Sequence, residues 1–180
     1  MLMHPGFEEI EGIVPYTVFR YASEKIVMAS TTDDLWVTGS RNITFRADKL
    51  LKEEFEKEYD CLVIPGGPGI MRLRDNTLVL DLIKRFYREK KLLGAICAAP
   101  VMLNEAGVLA GHRYTSHAST AALLPGRITS EPVVEDGNII TAVGPGASLL
   151  FTEKLMLRLL GEEQVKNIAK VYDFVPKFFE

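Results

Sequence analysis

The feature that most constrains this chain is the run Leu62-Val63-Ile64 breaking into Pro65-Gly66-Gly67-Pro68-Gly69. Three consecutive apolar residues with no polar alternation read as a strand covered on both faces. The prolines and glycines that follow end it abruptly. A strand of this kind needs helices above and below its sheet, so the rest of the chain is expected to alternate strand with helix. It does. Residues 25–29, 92–96 and 138–143 read as further strands, and the turn Asp136-Gly137 pairs residues 132–135 with 138–143 as a hairpin. Residues 35–38 and 43–46 form a second, peripheral hairpin. Met1-Leu2-Met3, taken as the first strand, is shorter than the usual ~5–6 residues.

Helical spacing fills the gaps. Ile10, Val14, Val18 and Tyr21 recur at three- and four-residue steps, which predicts a helix over about residues 8–22 despite Pro15. Asn76 is placed to cap a helix reaching about residue 90, with Leu78, Leu82, Ile83 and Phe86 facing inward. Residues 98–106 and 148–160 complete the set, and the aromatic tail 171–180 is expected to pack on the body or on a partner subunit. The expectation is one α/β domain over residues 1–180, with a mostly parallel sheet.

Composition narrows the function. Lysine and arginine number 21 against 24 aspartates and glutamates, a net charge of −3, which leaves no basic excess to displace counterions from nucleic acid. No apolar run approaches the ~20 residues of a membrane helix, and the start has neither the charge nor the apolar length of a secretion signal. Only Cys61 and Cys97 are present, which argues against a secreted disulfide scaffold. The expected setting is the cytoplasm, without nucleic-acid or membrane partners.

In an open parallel sheet the site lies at the carboxyl ends of the strands. Four segments meet that description: His4-Pro5-Gly6, the loop 65–69, Ala95-Ile96-Cys97-Ala98-Ala99-Pro100 and Gly144-Pro145-Gly146. Of these, Cys97 carries a nucleophile. It follows an apolar strand directly, precedes a helix without a connecting loop and has only small neighbours, which is the pattern of a nucleophile elbow. The helix N-terminus beyond it is expected to lower the thiol pKa, and Pro100 fits an early helical position. The rival reading is a small apolar filler. Cys61, at the start of a buried strand, has the filler reading alone.

Candidate proton carriers follow. Of the histidines His4, His112 and His117, His112 reads as solvated in the turn Gly111-His112-Arg113. His117 follows a short predicted strand, residues 114–116, that brings it to the sheet's carboxyl edge, where it can orient or deprotonate a thiol. Glu11 shares a helical face with Pro15 and Val18, and a carboxyl in a poorly solvated crevice has a raised pKa. Glu8 and Glu9 are expected in solvent. The loop 65–69 lacks the Gly-Lys-Ser/Thr ending of a phosphate-binding loop. Its N–H groups, beside those that follow Cys97, can instead form an oxyanion hole. The cysteines and histidines are too dispersed for a zinc site.

Taken together these residues resemble the ThiJ/PfpI superfamily, in the branch of the parkinsonism-associated protein DJ-one. The resemblance rests on Gly6-Phe7-Glu8-Glu9-Ile10-Glu11, Val63-Ile64-Pro65-Gly66-Gly67, Ala95-Ile96-Cys97-Ala98-Ala99-Pro100, Thr115-Ser116-His117 and Gly144-Pro145-Gly146, in that order and spacing. It implies a flavodoxin-like three-layer sandwich and a homodimer. Cys97 then matches the reactive thiolate, Glu11 the protonated glutamate that hydrogen-bonds it, and His117 the pocket histidine. Gly67 and Ala98 match the backbone donors near the sulfur, with Gly66 adjoining them. Alanine after Cys97, where the peptidase branch has histidine, argues against peptidase activity. The implied activities need no cofactor or metal: a glyoxalase converting methylglyoxal to lactate, or a deglycase acting on glycated substrates. The alternative is a redox sensor or chaperone-like stress protein working through oxidation of Cys97.

Overall fold

The strands that bury all of their side chains lie at the centre of the molecule. The computed structural model describes residues 1–22 and 24–172. The chain runs through β1 (Leu2–Met3), α1 (Glu9–Tyr21), β2 (Ala29–Ser30), β3 (Trp36–Thr38), β4 (Thr44–Arg46), β5 (Lys49–Leu50) and α2 (Leu51–Glu54). It continues through β6 (Cys61–Ile64), α3 (Thr77–Arg88), β7 (Leu92–Ile96), α4 (Pro100–Glu105), β8 (Val133–Asp136), β9 (Ile139–Ala142), α5 (Ser148–Leu160) and α6 (Glu162–Tyr172).

Strands β6, β7 and β9 pair in parallel, in register Ile64 to Ala95 and Ile96 to Ala142, and β8 closes that sheet antiparallel to β9. Strands β1, β2 and β5 form a second parallel sheet, and β1 lies alongside β6. The hairpin of β3 and β4 stands apart, as its sequence predicts. Helix α5 packs on α1, α3 packs on α4, and both pairs reach β7. Gly94 permits the close approach of α5: a Cβ there would stand 2.9 Å from Phe151 and from Leu155. The result is the expected flavodoxin-like α/β fold.

Several elements differ from the sequence expectation. The strand over residues 25–29 shrinks to Ala29–Ser30, because its neighbour β1 offers only two residues to pair with. Residues 114–116 form no ladder; the Thr115 N–H is taken at 2.9 Å by the Thr141 hydroxyl instead of a main-chain carbonyl. Helix α1 buries Glu9, Glu11, Gly12, Pro15, Val18 and Phe19, while Ile10 and Tyr21 of the predicted stripe are 50% and 42% exposed. Phe7 sets that rotation by packing on Gly12, where a Cβ would lie 2.8 Å from its ring. On α3 the Asn76 cap forms, with its side chain accepting from the Val79 N–H at 3.2 Å. Val79 is fully buried, whereas Leu78 is only partly so. The sequence pattern does not announce helix α6: among its described residues only Val165 and Ala169 are buried apolar positions, too few to register as a stripe.

His112 is not solvated. Its Nε2 meets the Tyr87 hydroxyl at 2.9 Å and its Nδ1 faces Asp136 at 3.4 Å. The packing expected of the aromatic tail concerns residues that lie, from 173 onward, outside the described ones. Among the described residues no helix is long and apolar enough to cross a membrane.

Candidate active site

Cys97 directly follows β7 in a left-handed backbone conformation, with φ of +65°. A non-glycine residue there costs roughly 1–2 kcal/mol, so the surrounding structure must hold it in place. It does so with main-chain hydrogen bonds. The Cys97 N–H donates to the Ala142 carbonyl and its own carbonyl accepts from the His117 N–H, each at 2.8 Å. The Ala99 N–H closes the turn on the Ile96 carbonyl at 3.0 Å, and α4 begins at Pro100. The buried alanines 95, 98 and 99 leave room for this turn. The elbow read from the sequence is present.

Glu11 reaches the same point from α1. Its residue is fully buried, its Oε2 accepts the Gly66 N–H at 2.8 Å, and its Oε1 is buried without a regular hydrogen bond. The carboxyl interacts with the Cys97 thiol. Burial is the largest influence on the acid and pushes it up to about 7, against the opposing pull of the thiol and the Gly66 N–H. Glu8 places this residue by accepting the Glu11 N–H at 3.0 Å, so that it caps α1.

Burial also pushes the Cys97 thiol up, to about 12, and the negative charge of Glu11 adds to that rise. The N–H groups of Gly67 and Ala98 act in the opposite direction on the sulfur. Burial and the acid thus oppose the lowering expected from the helix N-terminus. The two groups titrate as a pair. Burial raises both, and ionisation of either one opposes that of the other across their contact.

Two glycines make this contact possible. A Cβ on Gly66 would stand 2.7 Å from the Ile96 carbonyl oxygen and 2.8 Å from Cys97 Cβ. Gly67 has φ of +94°, and a Cβ there would strike the Glu8 nitrogen and the Gly6 carbonyl oxygen at 2.5 Å. His117 is joined to the elbow through its backbone only. Its side chain is exposed and its Nδ1 contacts the Ser119 hydroxyl at 2.9 Å. The ring lies beside Gly144, whose added Cβ would be 3.6 Å from His117 Cδ2. The structure thus brings Cys97, Glu11, Gly66, Gly67 and Ala98 together, and sets the imidazole of His117 to the outside. Among the described residues no three histidine, cysteine or acidic side chains cluster as metal ligands would.

Glu9 is also not where the sequence suggested. It is 6% exposed and accepts the Arg41 N–H at 2.6 Å and the Ser40 hydroxyl at 3.1 Å, tying the turn between β3 and β4 to α1. No pattern along α1 announces this role, because its partners lie more than 30 residues away in sequence. Glu8 was missed for another reason, since glutamate is not among the favoured capping residues.

This constellation can be compared with known proteins. The model of the DJ-1/PfpI family matches residues 1–158. The chain belongs to that family. The Drosophila melanogaster protein dj-1beta is 34% identical over 174 residues, covering 94% of this chain and 93% of that one. Its crystal structure superposes with a TM-score of 0.92 at 33% identity, over 97% of this chain and 96% of that one. A Schizosaccharomyces pombe relative named glutathione-independent glyoxalase DJ-1 is 31% identical over 177 residues, 92% of each chain. As in a DJ-1/PfpI reading of the sequence, the elbow cysteine and the α1 glutamate meet at the loop 65–69. Cys61, at the start of β6, has no comparable surroundings and its thiol is pushed up to about 12 by burial.

Proposed function

We propose that this DJ-1/PfpI protein is a glyoxalase-like enzyme that acts on small reactive carbonyls, converting methylglyoxal and water to lactate through Cys97. The observation that carries the reading is the buried Glu11 carboxyl in contact with the Cys97 thiol, in a left-handed elbow beside the Gly67 and Ala98 N–H groups. The glyoxalase name of the fission-yeast relative supports the choice of substrate class.

In the proposed sequence Cys97 Sγ attacks the aldehyde carbon and forms the C–S bond of a hemithioacetal. Glu11, with a carboxyl near 7, takes the thiol proton in the attack and returns it to the new oxygen. The Gly67 and Ala98 N–H groups, with Gly66 holding Glu11, steady negative charge on sulfur and oxygen. Glu11 or His117 then moves the C1–H proton to C2, and the proton of the C1 hydroxyl passes to the C2 oxygen. This oxidises C1 to a thioester and reduces the ketone to an alcohol. Water cleaves the thioester to lactate and restores the thiol. The balance closes with one water and no added oxidant.

The test is lactate production from methylglyoxal. It should vanish in Cys97→Ser and survive in Cys61→Ser; turnover that persists without Cys97 removes the mechanism. We also propose a homodimer. The exposed Ile10 on α1 and Leu149 on α5, two helices packed on each other, support it. Sedimentation of the parent chain beside Ile10→Glu tests that assembly, and a parent that sediments as a monomer removes it.

A further inference from the structure

We propose that His4 is a positioning residue for the reactive pair, acting through the loop 65–69; for its effect on turnover this rests on the function proposed above. His4 is fully buried where β1 ends, and its Nε2 lies 3.2 Å from the Pro65 carbonyl oxygen, the first position after β6. Its Nδ1 lies 3.4 Å from the Pro5 carbonyl oxygen, a weaker contact. Both ring nitrogens face carbonyls, which only accept, and a neutral ring has one proton; the shorter contact takes it, so Nε2 donates to Pro65. Burial, foremost, keeps the imidazole in its neutral form.

The place of this bond gives it its effect. No ladder joins β1 to β6, although the strands lie side by side, so their ends are held together by the loops that follow them. Gly66 carries the N–H held by Glu11, and Gly67 carries an N–H that acts on the Cys97 sulfur. The main-chain contacts from Glu8 N–H to Gly66, at 3.1 Å, and from Gly69 N–H to Gly6, at 3.0 Å, anchor the loop beyond Pro65. His4 anchors it at the point where it leaves the strand. Phe7 meets the imidazole edge-on at 6.4 Å and limits its tilt. Loss of the bond frees the Pro65 carbonyl in a buried place and loosens both glycine donors at once. His4 touches neither thiol nor substrate, so its influence passes through Gly66 and Gly67.

The experiment compares His4→Gln with His4→Asn, reading the rate of Cys97 alkylation by iodoacetamide against pH and, separately, methylglyoxal turnover. A glutamine amide reaches as far as Nε2, whereas an asparagine amide stops short near Nδ1. The glutamine variant should keep the parent's pH profile. The asparagine variant should move it and slow alkylation at neutral pH about threefold to tenfold, the effect of one hydrogen bond. Equal profiles in the parent and both variants, or equal damage in both variants, overturn the proposal. Alkylation needs no substrate, so a chain that turns over no methylglyoxal but shows this difference keeps the role of His4 and loses the function.

Discussion

Gly66 approaches Cys97 so closely that a Cβ in place of its hydrogen would lie 2.8 Å from the cysteine's own Cβ. The other neighbours at that distance are backbone atoms, Ile96 O and Ala98 N, and neither can move without opening the elbow. Gly66→Ala is therefore expected to lower the melting temperature and to cut methylglyoxal turnover at least tenfold. Overpacking of this kind costs about 1–3 kcal/mol, and the shifted loop carries its donors away from the sulfur. Thermal melts and lactate assays on the same preparation check both parts.

The raised carboxyl of Glu11 makes stability depend on pH. Below about 4.5 the acid is protonated in both folded and unfolded chains. Between 4.5 and about 7 only the unfolded chain ionises, so stability falls as pH rises. Above 7 the full cost, about 3 kcal/mol for a shift of this size, is in place. Glu11→Gln is expected to raise the melting temperature relative to the parent at pH 8.5 and to leave it nearly unchanged at pH 4. A variant that gains nothing at alkaline pH contradicts the buried charge.

Catalysis should show the same group with its own signature. Turnover is expected to rise with pH through about 7, as Glu11 ionises and a base becomes available. Glu11→Gln should remove that limb from the pH profile of kcat/KM and lower the plateau at least a hundredfold. A limb that survives in the variant assigns it to another group.

His117 is predicted to matter less. Its imidazole is exposed and held to Ser119, while its backbone N–H, which any residue supplies, is what supports Cys97. His117→Ala should leave stability within ~0.5 kcal/mol of the parent, as an exposed substitution does. Its turnover should fall by about tenfold or less, measured as lactate formed per site. A loss as deep as that of Cys97→Ser would place the imidazole inside the reacting pair.

Glu9 offers a test outside the chemistry. Removing its carboxylate in Glu9→Ala leaves the Arg41 N–H and the Ser40 hydroxyl without their partner at a buried position. The expected loss is about 1–3 kcal/mol by chemical denaturation. Alkylation of Cys97 should keep its pH profile, because the affected turn lies on the β3–β4 side.

The sequence alone determined the alternation of strand and helix, the two hairpins, the Asn76 cap and the elbow at Cys97. Each of these is local: apolar runs bounded by Pro65-Gly66-Gly67, a turn at Asp136-Gly137, small residues around one cysteine. Which face of α1 turns inward was not local. Ile10 and Tyr21 fit the helical period as well as Pro15 and Phe19, and only the packing of Phe7 on Gly12 selects between them. Tertiary structure alone decided that Glu9 is a tether, that His112 is held by Tyr87, and that His4 reaches Pro65, because each partner lies 25 or more residues away in sequence. It decided the protonation of the site as well. A helix N-terminus is visible in a sequence, but the burial that raises Glu11 and Cys97 together exists only once α1, the loop 65–69 and the elbow have closed on one another.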